Sequence, residues 1–223
     1  MLSDDAAVEG TLEGADGALA GLAAGATIVD HSTVSIAGTA RRAADLRGQG
    51  RRYVHAPMLA GPLGIRAGEG LMLAAGEKTV FDAMAPTLSQ ILPKVWYLGG
   101  AERDAAAFKL MANSILLNAC EALVEFFDIA SSGGIDRTRA MELFGHFDPS
   151  KTYTLRGARM AKEDYAPAFA ASMAAKDARL MVEAARDDGR RLPGVEVIAG
   201  KFARLMREGR GDLDMAAIAT LKD

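Results

Sequence analysis

Residues 102–134, ERDAAAFKLMANSILLNACEALVEFFDIASSGG, carry the longest helical signal in the chain. Apolar side chains recur at Phe108, Met111, Ile115, Ala119, Ala122, Leu123, Phe126 and Ile129, close to helical period. Gly133 and Gly134 close the run, as glycines past a helix end do. Near its head Lys109 and Asn113 stand four residues apart, so both project from one face. A lysine one turn from an amide can hold a hydroxyl and a carboxylate oxygen together. On spacing alone, a solvated pair on an amphipathic helix is the plainer reading.

Upstream of this helix the pattern alternates. A helix capped by Asp4 or Asp5 comes first, then short strands at 26–30, 52–55, 70–75 and 95–98. Between them lie helices at 36–46, capped by Ser35, and at 77–92. Strands alternating with helices indicate an α/β layer. Downstream no stretch reads as a strand; helices are expected at 136–144, 152–160, 168–187 and 195–208, with a short one near 214–221. The expected organisation is an α/β part over residues 1–100 and an all-α part over 101–223, divided at Gly99-Gly100.

Composition narrows the class. The chain has 223 residues, half of them hydrophobic and a quarter charged, which suits a globular protein with a real core. A net charge of -3 offers no footprint for nucleic acid or an anionic membrane. No unbroken apolar run reaches membrane-spanning length, and no basic segment followed by an apolar core opens the chain; cytoplasmic location is expected. Cys120 is the single cysteine, so no internal disulfide can form, and its place on the apolar helix predicts a packed thiol. No cluster has metal-ligand spacing, so no metal is expected. His31 and His55 fall at strand ends, where catalytic groups collect in α/β folds, but lone loop histidines are common.

Five stretches together resemble the β-hydroxyacid dehydrogenases, which include 3-hydroxyisobutyrate dehydrogenase and tartronate semialdehyde reductase. The first is the helix head from Gly99-Gly100 to Asn113, with K-x-x-x-N inside it. Residues 29–35, VDHSTVS, resemble the family's D-x-S-T-x-x-P loop at the cofactor, without its proline. Residues 56–62, APMLAGP, resemble its A-P-V-S-G-G-P substrate loop. Phe169-x-x-x-Met173-x-x-Lys176-Asp177 resembles its F-x-x-x-L-x-x-K-D helix, and residues 211–215, GDLDM, its C-terminal G-x-x-D-x-S-A segment. The resemblance spans nearly the whole chain. It implies a Rossmann-like dinucleotide-binding α/β part, an all-α domain, and NAD or NADP as cofactor. The implied reaction is hydride transfer between the nicotinamide and a small β-hydroxyacid or its aldehyde or keto form.

The same resemblance implies roles for particular residues. Lys109 would be the catalytic acid/base, with Asn113, Leu59, Ala60 and Gly61 at the substrate. Leu2, Ser3, Ser32, Thr33, Phe169 and Lys176 would touch the cofactor. Phe169 is read on the same helix face as Lys176. A homodimer or homotetramer is implied as well.

Two departures bear on function. No G-x-G-x-x-G phosphate fingerprint occurs in the 223 residues; the glycine-rich 61–70 stretch has the wrong spacing and is not expected to open a helix. Against the family, residues 1–4 look like the end of its fourth strand, so the incomplete Rossmann-like part is expected to expose a strand edge and apolar surface. Second, Leu59 stands where the family has serine and Ala60 where it has glycine, removing a hydroxyl donor and adding apolar bulk. Imine reductases share this fold but typically lack the lysine, so Lys109 favours hydroxyacid chemistry. The alternative from another class is a non-catalytic, dimerising interaction module.

Overall fold

The computed structural model describes residues 1–14 and 16–221. It divides into two compact units, Met1–Leu116 and Leu117–Asp223.

In the first unit, Asp4 caps α1 (Asp5–Glu13) by accepting from Ala7 N–H, and a short α2 (Ala18–Gly21) follows. Strand β1 (Thr27–Asp30) leads to α3 (Ile36–Gly48), where the Ser35 hydroxyl accepts from Gly38 N–H as N-cap. Strand β2 (Arg52–His55) pairs with β1 in parallel. After a break at Ala56 and Pro57 the chain resumes as β3 (Met58–Leu59), then α4 (Pro62–Arg66), β4 (Leu71–Gly76), α5 (Lys78–Ile91) and β5 (Val95–Tyr97). Strand β4 pairs antiparallel with β2 and β3 and parallel with β5. The sheet is therefore mixed, and among the described residues β1 pairs with β2 alone and forms one edge. Met1, Leu2 and Ile36 are exposed beside it.

Alternation of side chains along the strands separates two cores. Val54, Met72 and Ala74 pack with Val80, Phe81 and Leu88 of α5. Tyr53 packs with Val8 and Leu12 of α1 and Ala43 and Leu46 of α3. Leu73 and Ala75 receive Ala105 of α6 (Glu102–Ser132). Small alanines there let the helix backbone approach the sheet.

Sequence reading missed three pieces: α2, a single four-residue turn, and the β3 and α4 that follow β2. A two-residue strand gives no periodicity, so β3 reads as part of a loop. Gly61 proves to be the N-cap of α4, so the 61–70 stretch does open a short helix: Pro62 pre-sets its first turn. Gly70 then returns the chain at φ 133°, where a Cβ would sit 2.5 Å from that of Ala60.

The second unit holds the rest of α6, then α7 (Arg137–Met141), α8 (Ser150–Ala161), α9 (Ala171–Asp187) and α10 (Pro193–Arg207), with 3₁₀ turns at Glu142–Gly145 and Met215–Thr220. Its core is Ala171, Ala174, Phe202, Leu205 and Ala217. Glu125 of α6 accepts from Gly194 and Val195 N–H, the orphan donors at the start of α10.

Three expectations change. The 136–144 helix is α-helical only to Met141 and tightens to 3₁₀ after it. Helix α9 starts at Ala171, not 168, so Phe169 lies ahead of it and not on a shared face with Lys176. The buried Asp214 carboxylate draws the N–H groups of Ala168 and Phe169 away from helical geometry. Cys120 is exposed, because it lies on an α6 face that the single chain leaves open. Among the described residues, α6 is also the one helix long and apolar enough, by length and composition, to cross a membrane. Counting unbroken apolar runs missed this, since Glu121 and Glu125 interrupt the run without ending the helix.

Candidate active site

Lys109 owes its position to the start of α6. Glu102 is buried and its carboxylate accepts from Arg47 Nη2 at 2.8 and 3.1 Å, fixing the first turn. Ala105 and Ala106 are fully buried one turn on, and Phe108 packs edge-on against Trp96 at 5.2 Å. Lys109 follows, half-buried, with Nζ donating to the Met58 carbonyl of β3 at 2.8 Å. That carbonyl is neutral, and no carboxylate lies within ion-pair distance of the amine among the described residues. Partial burial therefore acts unopposed and pulls the lysine below its ordinary value.

A cavity of about 580 Å³ opens beside the amine. Leu59, Ala60 and Gly61 line one wall; Lys109, Ala112, Ile115 and Leu116 of α6 line the other. The structure thus brings together four of the residues read from the sequence as catalytic or substrate-binding. Asn113 stands half-buried one turn beyond Lys109, makes no hydrogen bond among the described residues, and does not line this cavity.

At the carboxyl end of β1 the segments at 2–3 and 32–33 meet. Leu2 N–H donates to the Ser32 hydroxyl at 2.9 Å, and Ser32 N–H donates to Asp30 Oδ1 at 2.8 Å. Thr33 points into solvent. Ser3 donates its hydroxyl to Asp4. His31 Nδ1 lies 2.6 Å from the Ala56 carbonyl, tying this loop to the chain that leads into β3.

Beneath the loop is a buried polar cluster that residue patterns did not reveal. The Tyr53 hydroxyl donates to Asp30 Oδ2 at 3.1 Å and lies 3.4 Å from His55 Nδ1. Arg42, 2% exposed, donates to Asp5 at 2.6 Å, and Asp5 in turn accepts from Ser35 N–H. Burial pushes Asp30 up, but hydrogen bonds from His55 and Ser32 outweigh it and hold the carboxyl well below its usual range. Burial beside Asp30 pushes the Tyr53 hydroxyl far up. Arg42 Nε and Nη1 and His55 Nε2 are buried without hydrogen-bond partners, although Arg42 Nη1 lies 3.8 Å from Asp30 Oδ2. The strand register sets Asp30 opposite His55, which the sequence had marked only as a histidine at a strand end.

In the second unit, Asp214 is fully buried. It accepts from Arg156 Nη1 at 2.6 Å and from the N–H groups of Ala168, Phe169 and Ala216 at 3.0 Å each. These donors hold its carboxyl well below the usual range despite burial. Phe169 is exposed at 38%. Lys176 is half-exposed on α9, with Nζ 2.7 Å from Asp177, and lines a cavity with Arg179 and Arg186. No group of His, Cys, Asp and Glu among the described residues could hold a metal ion.

Comparison with known proteins adds a consistent picture. Residues 1–99 match the profile of the NAD binding domain of 6-phosphogluconate dehydrogenase. Residues 104–221 match that of the NAD-binding domain of NADP-dependent 3-hydroxyisobutyrate dehydrogenase. The 2-hydroxy-3-oxopropionate reductase of Escherichia coli is 30% identical over 98% of this chain and 75% of its own. An oxidoreductase of Bacillus subtilis is also 30% identical, over 98% of this chain and 77% of its own. Among solved structures, the Streptomyces aurantiacus imine reductase superposes with a TM-score of 0.85 at 20% identity, over 100% of this chain and 78% of that one, a likeness of fold.

Proposed function

The chain belongs to the NAD(P)-dependent β-hydroxyacid dehydrogenase family, and from that premise we propose that it interconverts a β-hydroxyacid and its aldehyde or keto form with Lys109 as the acid/base. The nicotinamide cofactor supplies or accepts the hydride when bound. Lys109 handles the proton: in oxidation its unprotonated Nζ takes the hydroxyl proton, and in reduction the ammonium returns one to the carbonyl oxygen. A free lysine titrates near ~10.4, so a base at neutral pH needs the downward pull that burial provides here. Asn113 orients the substrate, and backbone N–H groups near Ala60 and Gly61 meet its carboxylate.

The donors at 2–3 and 32–33 fit the ribose and carboxamide end of a dinucleotide. They are hydroxyls and backbone amides with no basic side chain among them, groups able to hydrogen-bond a ribose hydroxyl or an amide. Leu2, Ser3, Ser32 and Thr33 would hold that end; Phe169 and Lys176 are proposed separately as cofactor-contacting residues. We further propose a homodimer or homotetramer working in the cytoplasm. The exposed Leu110, Ile115, Leu116, Leu117 and Val124 of α6 support an oligomer, being more apolar surface than one helix leaves to water.

The observation that carries the reading is the desolvated Lys109 amine, hydrogen-bonded to a carbonyl, at the mouth of the cavity. Lys109→Met keeps length and helix propensity but removes the transferable proton. Its kcat should fall about 10²–10⁴-fold with cofactor affinity and melting temperature little changed. Steady-state kinetics within about threefold of the parent would overturn the assignment and turn attention to His31 and His55.

A further inference from the structure

The cavity beside Lys109 also says what kind of substituent the substrate carries. Of its seven lining residues one is charged, and that is Lys109 itself, already donating once to the Met58 carbonyl. The remaining side chains are Leu59, Ala60, Ala112, Ile115 and Leu116, with Gly61 contributing none. Ile115 is 47% exposed and Leu116 61%, so their apolar surface awaits cover. A second anionic or hydroxylated group placed here would lose water and find no donor among these side chains, a net cost. An alkyl group placed here gains about 0.8 kcal/mol for each fully buried methylene.

We propose that the substrate is a β-hydroxyacid, or its aldehyde or keto form, bearing an uncharged alkyl substituent that lies against the apolar wall of this cavity. This rests on the assignment of Lys109 above. Lys109 meets the reacting oxygen, and the alkyl group lies against Leu59, Ala112, Ile115 and Leu116. Leu59 is the specificity-determining side chain, because it is the largest side chain lining the cavity opposite α6. A second copy of this chain covering Ile115 and Leu116 is the rival occupant.

The test is a series of 3-oxopropanoates carrying hydrogen, methyl, propyl or butyl at the second carbon, with 2-hydroxy-3-oxopropionate as the polar member. The full chain is assayed by oxidation of the reduced cofactor. Ligand-observed NMR with the corresponding 3-hydroxy acids reports binding without turnover. We expect kcat/KM, and affinity by NMR, to rise about two- to fourfold per methylene through propyl, with the polar member last. Leu59→Ser and Leu116→Ser should flatten that slope, with saturation transfer to the alkyl protons lost in both. A preference for 2-hydroxy-3-oxopropionate, or a flat series, overturns the inference while leaving the dehydrogenase reading in place. If Leu116→Ser changes the oligomer by light scattering and leaves the slope intact, the wall belongs to a subunit contact and the inference fails. Should no member be turned over in a Lys109-dependent way, the functional reading itself fails; the NMR series then decides the alkyl preference by itself.

Discussion

Lys109 and Lys176 were both marked by sequence motifs, one in each unit, yet they sit in opposite surroundings. Lys109 is half-buried, faces a neutral carbonyl, and has no carboxylate within ion-pair distance among the described residues; burial lowers its pKa. Lys176 is half-exposed and keeps Asp177 2.7 Å away on the same helix. An amine without a counter-charge in a drying site is easily deprotonated. The contrast fits the division of labour proposed above, proton transfer at Lys109 and a cofactor contact at Lys176.

The sharpest way to break this contrast is to give Lys109 the partner that Lys176 has. Ala112 lies one turn along the same cavity wall, so Ala112→Asp brings a carboxylate to the amine. A close opposite charge should cut the unprotonated fraction at neutral pH, and with it kcat for oxidation, by about ten- to a thousandfold. Raising the assay pH should restore part of the loss. A variant that oxidises normally at pH 7 would remove the special status of the Lys109 environment.

Lys176→Met should act on the other side of the comparison. Losing a charge-assisted hydrogen bond costs about 1.5–3 kcal/mol, so cofactor affinity by fluorescence titration should weaken about 10- to 100-fold while kcat stays within about threefold. An effect on kcat alone would reverse the division of labour.

Two buried carboxylates provide a control that touches neither lysine. Asp30 and Asp214 are both held below their ordinary values, so the folded chain binds fewer protons there than the unfolded chain. Their stabilisation is full above about pH 4, the unfolded range for aspartate, and is lost as pH falls toward the folded values. Melting temperature should therefore drop on acidification below that pH, and less steeply in Asp214→Asn, whose starting stability is lower. Asp214 has four donors, Arg156 among them, whereas Asp30 shares a cluster in which nitrogens of Arg42 and His55 lack hydrogen-bond partners.

The smallest effect belongs to Asp177→Asn. An exposed pair is worth about 0–1 kcal/mol, so melting temperature should hold within about 4 °C and cofactor affinity within about threefold. A large loss of stability would mean that the Lys176–Asp177 pair is structural.

Much of this was legible in the sequence, for physical reasons that also explain the gaps. Helices such as α5 and α10 repeat their apolar residues over several turns, and their extent was read to within two residues. Strand β2 was read in full, since Arg52 and His55 are bounded by turn residues. Strand β3 left no trace because two residues carry no period. Lys109 was found from its spacing and motif, but its acceptor, Met58, lies fifty-one positions away and had no local signature. The same holds for Arg42 and Asp5, thirty-seven apart, and for Arg156 and Asp214, fifty-eight apart. Phe169 was misassigned to a helix because periodicity cannot sense a buried aspartate that captures two backbone N–H groups from a distance.

The most direct test of the account is the pH dependence of kcat for β-hydroxyacid oxidation, measured in parent and Lys109→Met. The account predicts a basic group in the parent profile that titrates below the ordinary lysine value of about 10.4, with rate lost as it gains its proton, and no such break in the residual activity of Lys109→Met. The same break in both proteins would place the proton-transfer group elsewhere and contradict the assignment.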